Sequence, residues 1–421
     1  VNPQQTVSVW ERAARNRLLD VGLITIAAIC VARIALALPT RASDFDFNHY
    51  YVSSRLLLEG QDPYTTPLEP MSVQLGFTTL EQTPTATNPP GLLWMFVPFA
   101  LCGPRLAFGL WVAVEILSLG VILWLIHSLL FRQYSRRAWR IFVAAVLISE
   151  PVYWSFFYSH VELPLAAIVL ASYAAHKAGK HTAACLGVAT AGMLKLYPFV
   201  LLPWFLWRSS GELRGKTHRT VAVVAWVLLG ICATGLDLWR DFLQDGLRVI
   251  GGWTTGHAGN FSLPSFVMNL GEHCFSSTPQ QARFWQAVGI FLGILCVFLA
   301  YLHCWSQPDP DFSFSLLCAA MVAASMTSWP YYFVFLIFPV AAATLRLAAN
   351  PSGVRVLVFA LVVLALNNLS CWQVKLFHPR MILMILANYV PLYGLLGFAA
   401  ILIHYSHLRP PHKEPHGSLD G

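Results

Sequence analysis

Apolar runs broken by short polar or basic turns fill most of this chain. They lie at about Arg17–Leu38, Pro89–Cys102, Arg105–Phe131, Trp139–Phe157, Val161–Ala175, Thr182–Leu194 and Tyr197–Trp207. The second half repeats the pattern at about Thr220–Leu236, Phe284–Trp305, Phe312–Trp329, Tyr331–Leu345, Val354–Leu369 and Met381–His404. Such runs predict membrane-crossing helices, so the expected fold is all-α and polytopic. The first run is too long for a signal-peptide core and lacks a small-residue cleavage pattern, so it is expected to be retained. One stretch differs from the rest. From Ser43-Asp44-Phe45-Asp46-Phe47-Asn48-His49-Tyr50-Tyr51 to Gly60-Gln61-Asp62-Pro63-Tyr64 the chain is polar and aromatic. Apolar residues at Phe47, Tyr50, Tyr51, Leu57 and Leu58 give it the rhythm of an amphipathic helix that can lie flat on a bilayer. Gly60 ends that helix, and Asp62-Pro63-Tyr64 is a turn.

Composition agrees with the pattern. Apolar residues make up 57% of the 421 and charged ones 11%, and mean hydropathy is +0.59, far from the roughly 25% charge of soluble domains. Residues 1–404 are expected to form a single integral-membrane domain, with 405–421 a cytoplasmic tail. The net charge of +7 reports basic cytoplasmic turns rather than nucleic-acid binding. Nine cysteines without a CxxC pair argue against a zinc site or a disulfide framework; Cys274 and Cys371, both in expected outer loops, could pair.

Basic residues orient the chain. Arg12, Arg15 and Arg17 put the N-terminus inside, and Arg132–Arg140, His176–Lys180, Arg208–Arg219, Arg346–Arg355 and the tail are also expected inside. All can be inside only if Lys195-Leu196-Tyr197-Pro198 turns at the outer face and Pro89–Cys102 is re-entrant or a half-span. The count is then about twelve spans, with a range of roughly eleven to thirteen. Asp44–Asn88, Tyr158–Glu162, Lys195–Pro198, Asp237–Phe284, Ser328–Tyr332 and Ser370–Arg380 would converge outside. The loops 39–90 and 237–284 would form an active-site face there.

Six of the 20 acidic residues lie between Asp44 and Glu81. Asp46 or Asp44 has two readings, an N-cap or a catalytic carboxylate. Glu115 and Glu150 lie within or near the ends of apolar runs, and Glu115 reads as a structural or neutralised carboxyl. His160 and Glu162 could bind a polar ligand or simply mark a wetted helix end. Lys195, flanked by apolar runs, either snorkels or meets an anion such as phosphate. Arg240, Arg248, Trp253, His257, Asn260 and Ser262 have a composition that suits a sugar cleft, and Trp329, Tyr331 and Tyr332 suit either that or an interfacial aromatic belt. No P-loop, nucleophile elbow, HExxH or dinucleotide fingerprint is present, and no carboxylate cluster calls for a metal or cofactor.

Five short motifs in order carry a resemblance. They are Asp46-Phe47-x-x-Tyr50-Tyr51, Gly60-x-Asp62-Pro63-Tyr64, Asn88-Pro89-Pro90, Lys195-x-Tyr197-Pro198 and Asn260-x-Ser262-Leu263. From about Asp44 to about Pro339 the chain resembles glycosyltransferase family 87, integral-membrane enzymes of the GT-C superfamily. The resemblance implies a polyprenyl-phosphate sugar donor, most often mannose, a lipid or glycan acceptor, and transfer on the outer face of a cell membrane, with a bacterial inner membrane as the setting. It also implies a catalytic acid in the first outer loop, which by register is Asp46, with Asp44 next in line. Tyr50, Tyr51, Tyr64, His160, Glu162, Lys195, Tyr197, Arg248, His257, Asn260, Trp329, Tyr331 and Tyr332 are the expected substrate-binding residues. The chain departs from the family at Ser159-His160-Val161-Glu162, where many members have Gly-Gln-x-Asn, and at Trp329-Pro330-Tyr331-Tyr332, where many have Trp followed closely by His. Two other classes fit the spans, a transporter or flippase and a non-catalytic assembly subunit. A transporter should show paired halves, and no second copy of the Asp46–Tyr64 pattern occurs.

Overall fold

Prolines decide where many of this chain's helices begin. A proline in the first turn lacks only a donor that has no helical partner there, and Pro70, Pro90, Pro104, Pro151, Pro279 and Pro310 each occupy such a position. The computed structural model describes residues 17–41, 46–77, 84–208, 213–249, 259–275, 278–367 and 388–406. Among these residues the regular elements are helices, without a strand. They begin with α1 (Arg17–Arg41), α2 (Asp46–Leu58), α3 (Glu69–Gln74) and α4 (Pro90–Ala100). Next come α5 (Pro104–Ile126), α6 (Arg136–Leu147), α7 (Glu150–Tyr158), α8 (Glu162–Lys177) and α9 (His181–Leu194). A 3-10 turn, Tyr197–Leu201, leads into α10 (Leu202–Arg208), followed by α11 (Leu213–Thr234) and α12 (Leu236–Asp241). The last part holds α13 (Leu263–Phe275), α14 (Pro279–Ser306) and α15 (Pro310–Ala324). A second 3-10 turn, Pro330–Leu336, runs into α16 (Ile337–Ala349), and α17 (Gly353–Leu366) and α18 (Val390–Ser406) follow.

Four described helices are long and apolar enough to cross a membrane: Pro104–Phe131, Leu213–Thr234, Arg283–Ser306 and Pro330–Ala349. Helices α6 and α7, bent by 49° at their junction, make a fifth if they count as one span. The expected count of about twelve is not matched by full-length helices among the described residues. The reason is local. Pro151 and Pro198 lie in the first turn of new helical segments, where they cannot donate to a preceding turn, and the apolar runs break just before them, at Ser149 (ψ 137°) and Lys195 (φ −146°, ψ 132°). Helix α9, with 14 residues, rises about 21 Å, less than the roughly 30 Å of a hydrocarbon core.

Helix α2 also differs from expectation. It forms over Asp46–Leu58, but it is not two-faced. Phe47 through Ser54 are buried on every side, polar Asn48, His49, Ser53 and Ser54 included. The helix lies inside the protein, packed along α4, rather than flat on a bilayer surface. The i, i+3, i+4 pattern marks one apolar face but cannot show that the polar face will also be covered.

The core centres on α15, in which every residue from Phe312 to Ala323 is buried, as expected of a helix apolar all round. At one end of the bundle, Lys177 pairs with Asp311 at 2.7 Å and the enclosed Arg346 with Asp309 at 2.9 Å. The other end of α8 is about 24 Å away, and the site described below lies there. Elsewhere Glu150 pairs with Arg33 of α1 at 3.2 Å, a structural use of that carboxylate.

Helix α4 meets α9 closely enough to exclude a side chain. A Cβ on Gly91 would lie 2.7 Å from the Met193 carbonyl oxygen, a backbone atom that cannot step aside. Gly91→Ala should therefore push α4 off α9 and destabilise the protein by about 1–3 kcal/mol, read as a lower melting temperature in detergent. An unchanged melting temperature would show that the two helices are not held at this distance.

Candidate active site

A left-handed turn aims the first group of the site. Helix α7 ends in paired bonds, His160 N–H to the Ser155 carbonyl at 3.0 Å and Ser159 N–H to the Phe156 carbonyl at 3.2 Å. This closure puts the residue after the helix in left-handed conformation, usually a glycine. Here it is Ser159, at φ 50°, the sole non-glycine residue with positive φ among the described residues. The Ser159 carbonyl accepts from the Trp111 indole at 3.0 Å, which holds the turn against α5. His160 follows, pointing inward, and α8 starts two residues later at Glu162.

His160 lies between two carboxylates. Its Nε2 is 3.7 Å from Asp46 Oδ2, and its Nδ1 lies against a carboxylate oxygen of Glu162. The His160 side chain is 4% exposed and that of Glu162 is fully enclosed, whereas Asp46 remains 33% exposed. The Tyr197 hydroxyl donates to Glu162 Oε1 at 3.3 Å. The His160 ring stacks on Tyr331 at 4.0 Å between centroids and meets Tyr50 edge-on at 5.6 Å. Tyr332 faces Tyr197 at 5.0 Å. Aromatic walls therefore enclose the imidazole, and the open side of the group is Asp46, the first residue of α2.

Lys195 and His49 complete the polar surroundings. Lys195 is extended (φ −146°, ψ 132°) where α9 stops. Burial pushes its ammonium down to about 8, against the pull of Asp46. Burial pushes the Asp46 carboxyl up to about 7, and Lys195 opposes this. The direction follows because a charge that loses water is disfavoured more than its partner at this range restores. Burial also lowers His160, with Lys195 and His49 adding to the effect, and lowers His49 to about 4. His49 is one turn beyond Asp46. Its Nδ1 accepts from the Asn88 amide at 3.3 Å, and its Nε2 faces the Thr85 carbonyl at 3.3 Å. Sequence reasoning passed over His49 as a site residue. Its signal was available, since residue 49 falls one helical turn after Asp46 and so shares its face. Glu115 is another enclosed carboxyl near this group, with neither oxygen hydrogen-bonded.

Several expected binding residues have structural partners. The Tyr51 hydroxyl donates to the Cys102 carbonyl and that of Tyr64 to the Asn88 carbonyl, both at 2.6 Å. Asp62 caps its own turn, accepting from the Tyr64 N–H at 3.0 Å and the Thr65 hydroxyl at 2.8 Å. Asn260 bridges two loops. Its Oδ1 accepts from the N–H groups of Ser328 and Ser262, and its amide donates to the Met326 carbonyl. Trp329 covers Gly259, where a Cβ would lie 2.9 Å from its ring. Arg248 is exposed. Asp44 and His257 lie outside the described residues, as do residues 251–258, the segment Ser370–Arg380, Cys371 and the tail from 407. Among the described residues no group of three or more His, Cys, Asp or Glu side chains is arranged to hold a metal ion.

The group thus brings a carboxylate, Asp46, near a cation, Lys195, close enough for each to act on the other's charge. A family model described as glycosyltransferase family 87 matches residues 86–330, more than half of the chain. The matched range includes His160, Glu162 and Lys195 and begins after Asp46. No curated protein matches the chain.

The turn at Ser159 yields a prediction. Glycine should be accepted there, whereas Ser159→Ile places a β-branched residue in left-handed conformation and should destabilise by roughly 1–2 kcal/mol. Thermal unfolding of the two variants in detergent tests this; equal melting temperatures would sink it.

Proposed function

The chain belongs to glycosyltransferase family 87, and from that premise we propose that it moves a sugar, mannose, from a polyprenyl-phosphate donor to a hydroxyl of a lipid or glycan acceptor. The reading places the reaction at the outer face of a cell membrane, as in a bacterial inner membrane, with residues 1–404 as one multi-pass domain. The observation that carries it is a partly open carboxylate, Asp46, close enough to Lys195 for each to act on the other's charge.

The donor is a phosphodiester, so its leaving group needs charge neutralisation more than protonation. Lys195 supplies that charge where negative charge develops on the phosphate. Asp46 accepts the proton of the acceptor hydroxyl as general base, helped by an affinity for protons raised by burial. The acceptor oxygen bonds to the anomeric carbon while the carbon–phosphate-oxygen bond breaks, and the electron pair leaves with the phosphate. Direct attack with a single base implies inversion. Tyr50, Tyr331 and Tyr332, clustered around the same pocket, offer aromatic faces to a sugar ring. The transferase reading is favoured over a transporter by the family match.

Asp46→Asn should lower incorporation of labelled sugar from a panel of polyprenyl-phosphate donors by about 10²–10⁴-fold. Full activity in that variant, with loss in Asp44→Asn, would move the base by two residues. The pH profile of kcat/KM should be a narrow bell. Asp46 must be deprotonated, so activity falls below about 7; Lys195 must be protonated, so it falls above about 8. A flat profile from pH 6 to 9, roughly, would exclude this pair of roles.

A further inference from the structure

The end of the bundle away from Asp46 holds a buried cation without a counter-charge. Arg219 of α11 is 8% exposed, and its Nε and Nη2 atoms have no hydrogen-bond partner. A guanidinium in this state is costly, because its N–H groups have given up water without replacing it. Among the described residues no carboxylate pairs with it. Asp311 and Asp309, the acidic groups described at this end, already pair with Lys177 and Arg346. Arg208 of α10 is engaged as well, by the Pro308 carbonyl at 2.7 Å and the Cys304 carbonyl at 3.1 Å.

The register of two helices fixes where this guanidinium lies. The Trp226 indole donates to Thr190 Oγ1 at 3.0 Å, and a Cβ on Gly230 would strike the Met193 side chain. Partners on α9 and α11 advance together, so the two helices run side by side in the same direction. Arg219 precedes Trp226 by two turns and Gly230 by three. It therefore shares their face toward α9, level with Thr182 and Ala183. Its side chain folds back over Gly215, where a Cβ would lie 3.6 Å from Nη1, and this directs the guanidinium at the turn from α8 into α9. His176 and His181 flank that turn, with Nδ1 atoms 3.3 Å apart, and Arg219 is close enough to act on the charge of both. Lys180, at the N-cap of α9, makes no side-chain capping bond, and the first N–H groups of a helix have no partner within it. Thr182 in that first turn is exposed, so the place opens to the surface.

We propose that Arg219 and the first turn of α9 form a binding site for a phosphate group, separate from the candidate active site. A guanidinium fork and a helix N-terminus both match the oxygens and the charge of phosphate. Depth favours a phospholipid headgroup as its source. Trp207 and Trp305, both exposed, lie 4.3 Å apart between ring centroids, and Lys216, one turn before Arg219, sits 5.1 Å from the Trp207 ring. Exposed tryptophans collect at the membrane–water boundary. Beyond them α11 exposes Val221, Val224 and Leu228, and it is long and apolar enough to cross a membrane. Arg219 is thus set at the height of lipid phosphates, where basic pockets between helices bind anionic headgroups. The inference goes beyond sugar transfer and rests on neither Asp46 nor Lys195.

The test titrates full-length protein in an uncharged detergent with phosphatidylglycerol and, separately, with inorganic phosphate. Bound ligand is read by native mass spectrometry and melting temperature in parallel. The wild type should retain phosphatidylglycerol and melt higher with it; retention of inorganic phosphate alone upholds the site with a soluble ligand in place of a lipid. Arg219→Gln should weaken phosphatidylglycerol binding by roughly 10–100-fold. Arg214→Gln makes the same charge change at an exposed position of α11 and should leave binding within about threefold. Thr182→Glu alters an exposed residue, so it does not depend on how Arg219→Gln folds. It sets a carboxylate in the first turn of α9, facing the guanidinium, and should raise the ligand-free melting temperature and remove the response to phosphatidylglycerol. Retention of neither ligand by the wild type overturns the proposal. Equal loss in Arg219→Gln and Arg214→Gln overturns it too, as diffuse attraction to a basic surface, and so does a Thr182→Glu variant that binds like the wild type. Glu212 lies outside the described residues; binding gained in Glu212→Gln and missing from the wild type would make that carboxylate the counter-ion and overturn the site.

Discussion

Charge in a place with little water is the constraint from which this site follows. A carboxylate or ammonium taken out of water is stabilised again only by partners with the right charge and geometry. His160 and Glu162 are enclosed, and Asp46 and Lys195 lie beside them on the more open side. The enclosed Glu162 accepts from the Tyr197 hydroxyl at one oxygen, and His160 lies beside the other. His160 can sit among aromatic rings because carboxylates flank it. Burial brings the proton affinities of Asp46 and Lys195 toward each other.

The backbone around the group is irregular wherever a polar residue must be delivered. Lys195 sits where α9 stops and a 3-10 turn begins, His160 in a left-handed closure between two helices, and Tyr331 in a second 3-10 turn. Continuous helices through these points would turn side chains steadily around their axes, so adjacent residues could not be aimed separately. Breaking the helices also frees backbone groups, and these are satisfied by side chains and neighbouring loops. Asn260 does this for Ser262 and Ser328, and Trp111 for Ser159. Several polar residues of the sequence motifs make such bonds: Tyr51 to Cys102, Tyr64 to Asn88, Asp62 to its own turn and Asn260 to Met326.

The chain by itself determined the all-helical, apolar character, the helix over Asp46–Leu58, and the positions of most breaks. These depend on hydrophobic composition, helical periodicity and proline, which are local properties. The motif order also pointed to the family, although residues such as Tyr64 and Asn260 came with it undivided between structure and chemistry. Only the tertiary structure decided the rest. How long each apolar helix becomes between its breaks showed only in the structure, where four described helices, or five with the bent pair, are long enough to cross a membrane. Whether α2 lies on a surface or inside depends on what covers its polar face, and α4 lies against it. The pairing of His160 with both Asp46 and Glu162 could not be read along the chain. Asp46 is more than a hundred residues from the other two, and contact between them arises only when α2, α7 and α8 meet, because the energy that orders a buried charge comes from partners distant in sequence.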